Sequence, residues 1–147
     1  MLTKWDNKFI NLASFVKGWS KDKSTQTSAV IVDPESNSIL SIGYNGFPRG
    51  VNDQIEERYE RPQKYRFTEH AERNAIYNAA RNGIRLNGSV MYLEWYPCCD
   101  CARAIIQSGI SALYCGKPNF EDERWGEDFK ITKVLFEESN IQVNYIC

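Results

Sequence analysis

The sequence contains no apolar run approaching the roughly 20 residues that a membrane-spanning helix needs. Its opening stretch, Met1-Leu2-Thr3-Lys4-Trp5-Asp6, lacks an apolar core and carries an acid early, so no secretory signal is visible. A basic excess is missing too. The formal net charge is −1, which speaks against a large non-specific footprint on nucleic acid. A small anionic ligand needs only a local basic pocket and stays compatible with that balance. An even, dispersed set of cysteines is also absent. There are five, an odd number, and three crowd into positions 98, 99 and 101. That pattern suits metal binding in a reducing compartment better than a disulfide framework. These absences leave a cytoplasmic chain with no membrane segment and no nucleic-acid partner. At 147 residues and 42% hydrophobic content it fits one domain, residues 1–147, with a core of its own.

What is present is a regular alternation of elements. Phe9, Leu12, Ala13 and Val16 recur at helical spacing, which predicts an amphipathic helix over 6–18. Ser28–Val32 is a short β-branched run, followed by the turn residues Asp33-Pro34-Glu35-Ser36-Asn37 and a returning strand at Ile39–Gly43. Two glycines and a proline shape the loop Tyr44–Gly50. Residues 51–67 are charged and aperiodic, long for a connection in a compact domain, and such loops are functional or mobile. Helices follow over 69–82 and 97–108, with Pro97 opening the second and glycines 83 and 109 ending them. Strands are expected at 90–93, 110–115 and 141–146, and a last helix ends near Asn140. The order predicts an α/β fold, a three-layer α/β/α sandwich around a mixed sheet of about five strands.

Chemistry concentrates in His70-Ala71-Glu72 and Pro97-Cys98-Cys99-Asp100-Cys101. One imidazole and two thiols make three soft metal donors, and three donors leave a tetrahedral ion one place for water, as catalytic zinc sites do. Cys98 and Cys101 stand three apart at a helix start, where both sulfurs can face one side and the helix end favours thiolates. His70 must come from another element, and the start of the preceding helix is the natural place. Two residues along a helix is a rotation of about 200°, so inside a regular helix His70 and Glu72 would point apart. At the helix start His70 can reach across the end, leaving Glu72 beside the activated water as a proton-transfer group without ligating the metal. The reaction this suits is hydrolytic deamination of an amidine-like heterocycle.

The pattern His-x-Glu … Pro-Cys-x-x-Cys is the signature of zinc nucleobase deaminases. Ser24-Thr25-Gln26, Ala29-Val30-Ile31-Val32, Gly43-Tyr44-Asn45-Gly46-Phe47-Pro48-Arg49-Gly50, Asn74-Ala75-Ile76 and Ala102–Ile110 make the chain resemble deoxycytidylate deaminases in particular. The resemblance covers nearly everything from Ser20 to Cys115. It implies conversion of dCMP to dUMP for thymidylate synthesis, one catalytic Zn2+ on His70, Cys98 and Cys101, and Glu72 as the catalytic residue. It implies further that Asn45 contacts the sugar and the Ala71 N–H holds the cytosine carbonyl. A homohexamer is implied as well, activated by dCTP and inhibited by dTTP with Mg2+, at an interface near Tyr44 and Gly46. Larger phage relatives carry an insertion with a second, structural zinc. With one histidine and no such insertion, this chain is expected to hold one zinc per subunit.

Several residues stay open on the sequence. Trp95 and Tyr96 either wall the base pocket or belong to the core. Lys21, Lys23 and Arg49 are rival candidates for the 5′-phosphate, and Arg58, Arg61, Lys64 and Arg66 read as a solvated basic face. Cys99 reads either as a packing residue or as a support just behind the metal ligands, and Cys115 as a buried strand residue. The competing functions are a polynucleotide deaminase, which would need a basic strand-binding face, and a non-catalytic zinc-stabilised nucleotide-binding module.

Overall fold

A computed structural model describes residues 1–146, leaving Cys147 outside the described residues. Five strands form one mixed sheet in the order β2–β1–β3–β4–β5, with β1 at Ser28–Val32, β2 at Ile39–Tyr44, β3 at Val90–Leu93, β4 at Ala112–Cys115 and β5 at Gln142–Tyr145. β1 runs antiparallel to both β2 and β3, while β3, β4 and β5 are parallel. The side chains of β1 show why helices cover both faces. Ala29 and Ile31 enter one apolar cluster and Val30 and Val32 the other, and all are buried. A strand that turns apolar side chains to both faces must be covered twice.

Helix α1, Lys4–Val16, covers one face through Phe9 and Ala13, against Val30, Val32 and Tyr92. Helices α3 (Ala71–Arg81), α4 (Cys99–Gln107) and α5 (Gly126–Glu138) cover the other. The alanine face of α3 explains its closeness to the sheet: Ala71, Ala75 and Ala79 are fully buried, and a Cβ on Gly43 would collide with the backbone of Ala71 and Ala75. Asn74 and Asn78, one turn apart, donate to the carbonyls of Tyr44 and Ile42 at 2.8 Å each, fastening α3 to β2.

Three boundaries differ from the sequence expectation, each for a physical reason. Helix α1 begins at Lys4 because Thr3 and Asp6 close a capping box at 3.1 and 2.7 Å, and its last turn tightens into a 3-10 turn, Lys17–Trp19. Helix α3 begins at Ala71 rather than at 69, because Glu69 is held extended by a two-way backbone bridge to Gly46 at 2.8 and 3.1 Å. Pro97 precedes α4 instead of opening it, and Cys98 takes the N-cap position. The aperiodic stretch 51–67 is also ordered. It contains a 3-10 turn, Glu56–Tyr59, and a short helix α2, Lys64–Phe67. Phe47 packs between Tyr59 and Phe67 with ring centroids 4.5 and 5.7 Å apart, and Lys64 is buried against Asp22 at 2.6 Å.

Candidate active site

Two helix starts meet at one end of the sheet. His70 is the N-cap of α3 and Cys98 the N-cap of α4; both have extended backbone, φ −74° ψ 152° and φ −70° ψ 167°. The loop that leaves parallel strand β3 carries Cys98, and the loop that leaves β4 runs beside it, with the Gly116 N–H donating to Glu94 O at 3.1 Å. Crossover loops at the carboxyl ends of parallel strands are where open α/β sheets build their sites.

His70 Nδ1 lies 3.5 Å from Cys98 Sγ and 3.5 Å from Cys101 Sγ. Among the described residues these three form the cluster of potential metal ligands, their donor atoms all within 4.8 Å of one another, and Glu72 falls outside it. A tetrahedral zinc with Zn–N near 2.0 Å and Zn–S near 2.3 Å requires an N···S separation of about 3.5 Å. The donor set therefore fits zinc in both chemistry and spacing, and no fourth protein donor joins it among the described residues.

The electrostatics agree. The Cys98 thiol is drawn down to about 4, first by the Cys101 thiol donating to it, then by His70, against the opposing effect of burial. Cys101 is pushed far above the ordinary thiol range by the neighbouring Cys98 sulfur and by burial. Left alone, the pair ionises once, and a dication between the sulfurs is what would let both become thiolates. The Cys98 sulfur raises His70, with burial opposing. Burial chiefly raises Glu72, with His70 opposing, the direction needed for a carboxylate that both accepts and returns a proton near neutrality.

The cluster opens into a cavity of about 530 Å3, onto which His70, Glu72 and Cys98 face. Asn45, Thr25 and Thr27 line one side. Asn45 is buried, and its amide donates to Thr25 O at 2.8 Å and accepts from Thr27 N at 2.9 Å, so both of its ends hold that wall in place. Trp95, Tyr96, Trp125 and Phe129 line an aromatic side. Tyr96 is buried and meets Phe129 edge-on at 5.4 Å, while Trp95 stays 59% exposed. Ala71 is the first residue of α3, where backbone N–H groups have no intrahelical acceptor.

Other expected residues stand outside the lining. Lys21 pairs with Asp53, Lys23 with Glu56 at 3.3 Å, and Arg49 donates to Asn78 at 2.7 Å. Tyr44 meets Trp19 edge-on at 6.0 Å, and Gly46 makes the bridge to Glu69. In their place Arg61, Lys64 and Arg124 face the cavity. Sequence reasoning missed Arg124, Trp125 and Phe129 because they sit in a charged loop and the helix after it, and only the return of β4 to the same sheet end places them. The one local signal was an aromatic pair straddling a helix start.

The α5 helix also holds the ligand turn from behind. Asp128 accepts from Cys99 N at 2.7 Å and from Cys99 Sγ at 2.9 Å. One turn further, buried Thr132 donates to Pro97 O at 3.1 Å. Cys99 is therefore held by a carboxylate, and Cys115 is a buried strand residue.

Comparison with known proteins places this arrangement. Residues 3–117 match the cytidine and deoxycytidylate deaminase zinc-binding region. An uncharacterized deaminase of the luxG 3′ region in Aliivibrio fischeri is 41% identical, covering 99% of this chain and 96% of that one. Deoxycytidylate deaminase of Mus musculus is 35% identical over 90% of this chain and 74% of its own length. The crystal structure of dCMP deaminase from the cyanophage S-TIM5 in complex with dCMP and dUMP shares the fold, with a TM-score of 0.79 over 99% of each chain at 23% identity. With its His–Cys–Cys cluster at the mouth of two crossover loops, the chain belongs to the zinc-dependent cytidine and deoxycytidylate deaminase family.

Proposed function

We propose that this protein converts dCMP to dUMP and ammonia, using one zinc held by His70, Cys98 and Cys101. The observation that carries this reading is the His70–Cys98–Cys101 triangle, spaced for a tetrahedral ion, with His70 and Cys98 on the cavity wall beside Glu72. Kinship with mouse deoxycytidylate deaminase supports the choice of nucleotide.

When bound, zinc supplies a Lewis acid that brings the pKa of a water toward neutrality. Glu72 would carry one proton from a water molecule to the ring nitrogen next to the amine-bearing carbon as the water oxygen adds to that carbon. Glu72 then delivers the second proton to the amine. The carbon–nitrogen bond breaks, ammonia leaves, and a carbonyl remains. The Ala71 N–H, at the open start of α3, holds the carbonyl of the base. Tyr96 walls the ring, and Asn45 meets the sugar with the hydrogen-bonding capacity its backbone contacts leave spare.

The Gly43–Gly50 loop extends the reading to regulation by dCTP and dTTP with Mg2+ in a homohexamer. Beside it the rings of Phe15, Trp19 and Tyr44 form an exposed edge-to-face run, the kind of apolar patch that subunit contacts cover. The test is direct. Zinc-loaded protein is incubated with dCMP, dCTP, deoxycytidine and an oligonucleotide while ammonia is followed. Release from dCMP is expected, and none from dCMP with or without dCTP and Mg2+ would overturn the reading.

A further inference from the structure

The cavity has a polar wall, an aromatic wall and a floor of metal donors, and its rim is cationic. Arg61 comes from the segment before α2 and Arg124 from the loop before α5, and both face the cavity. Each side chain is exposed, and among the described residues neither guanidinium has a carboxylate within ion-pair distance. The two acids on the same rim do not cancel them as pairs. Asp122 spends a carboxylate oxygen on the backbone N–H groups of Arg124 and Trp125, at 2.9 and 2.8 Å, and Glu123 makes no ion pair among the described residues. Lys64 also faces the cavity, but its ammonium is already held by Asp22 at 2.6 Å and Ser24 at 2.7 Å. Arg61 is held in direction by its Nε donating to Tyr65 Oη at 2.8 Å, which leaves its terminal N–H groups free to fork.

Resting on the proposed reaction, we infer that Arg61 and Arg124 close on the 5′-phosphate of the nucleotide from two separate loops and so determine preference for a monophosphate over a nucleoside. Guanidinium matches phosphate through paired N–H donors. A dianion placed between two uncompensated arginines gains most from both. The rival cations are otherwise engaged: Lys21 and Lys23 face Asp53 and Glu56, and Arg49 faces Asn78, all outside the cavity lining. Lys64 acts differently, buttressing the Asp22–Thr25 wall through Asp22, whose carboxyl accepts from the Ser24 and Thr25 amides at 2.9 and 3.2 Å.

The test uses zinc-loaded protein and a pair of ligands that need no turnover, dUMP and deoxyuridine, with binding measured by calorimetry. Arg61→Gln and Arg124→Gln should each weaken dUMP by about tenfold, and the double variant by about a hundredfold, with deoxyuridine unchanged. Lys21→Gln should alter neither. Zinc content and melting temperature, measured on every variant, separate a lost contact from a lost fold. If wild-type protein binds dUMP no tighter than deoxyuridine, or if both arginine variants keep the wild-type ratio, the inference is overturned. If the ratio falls as expected while dCMP releases no ammonia, the clamp stands and the reaction fails, so the two readings can be told apart.

Discussion

The start of α1 and the starts of α3 and α4 solve the same problem in opposite ways. A helix begins with N–H groups that have no partner, and α1 satisfies them conventionally: Thr3 and Asp6 bond reciprocally, and Asp6 also accepts from Tyr92 Oη at 2.6 Å. Helices α3 and α4 have His70 and Cys98 at the same position, and neither side chain caps its helix. A good N-cap is worth about 1 kcal/mol, so two such contributions are forgone where the side chains are turned toward one another. One helix start serves stability. The other two give it up to place a donor, and the N–H groups at the start of α3 that this leaves without a side-chain cap favour anions at the site.

That contrast predicts where damage will register. The largest effect is expected at Cys101→Ala, which removes one donor of the triangle and leaves His70 and Cys98 to hold an ion as two. Stoichiometric zinc, measured by elemental analysis, should be lost and deamination with it. Glu72→Ala comes next. Its carboxylate lies outside the ligand cluster, so zinc should stay at one per chain while turnover falls by about 10²–10⁴-fold, the usual worth of a proton-transfer group. Loss of metal in that variant would make Glu72 a ligand.

The layout of the site was largely legible, because the features that carry it are local. His70-Ala71-Glu72 and Pro97–Cys101 are fixed by spacing, and β1 and β3 fall at the expected residues because a short β-branched or apolar run between turn residues has few alternatives. The rim of the cavity was not legible. Arg61 and Lys64 lie in a stretch without periodicity, and what places them is distant: Phe47 packing on Tyr59 and Phe67, and Asp22 on Lys64. Arg124 and Trp125 depend on β4 and β3 being parallel neighbours, a property of the sheet that no window of sequence contains. Even the start of α3 was displaced by a contact from elsewhere, the Gly46–Glu69 bridge.

Asp128 lies between the two kinds of helix start. It belongs to neither the metal triangle nor the cavity lining, yet its carboxylate accepts from the first helical N–H of α4, a cap supplied from another helix. Asp128→Ala should therefore weaken zinc by about tenfold in chelator competition, the scale seen when a partner that orients a ligand is removed. The chain should still fold, because Thr132 keeps its bond to Pro97 O.

The smallest effect should appear at the conventional helix start. Thr3→Ala deletes the acceptor for the Asp6 N–H at the edge of α1, on the face of the sheet away from the metal site. A cost of about 1 kcal/mol is expected, or about 2–4 °C in melting temperature for a chain of this size. Zinc affinity and kcat should match wild type. Asp6→Asn is the less clean probe of the same cap. Burial pushes the Asp6 carboxyl up, but Tyr92 and Thr3 outweigh it and hold it below the ordinary value. The stability it adds is therefore complete above about pH 4 and is lost as pH falls through the depressed value. If Thr3→Ala changed zinc binding as much as Asp128→Ala, the division between a stabilising start and two functional ones would fail, since a cap on the far face would then be coupled to the metal through the sheet.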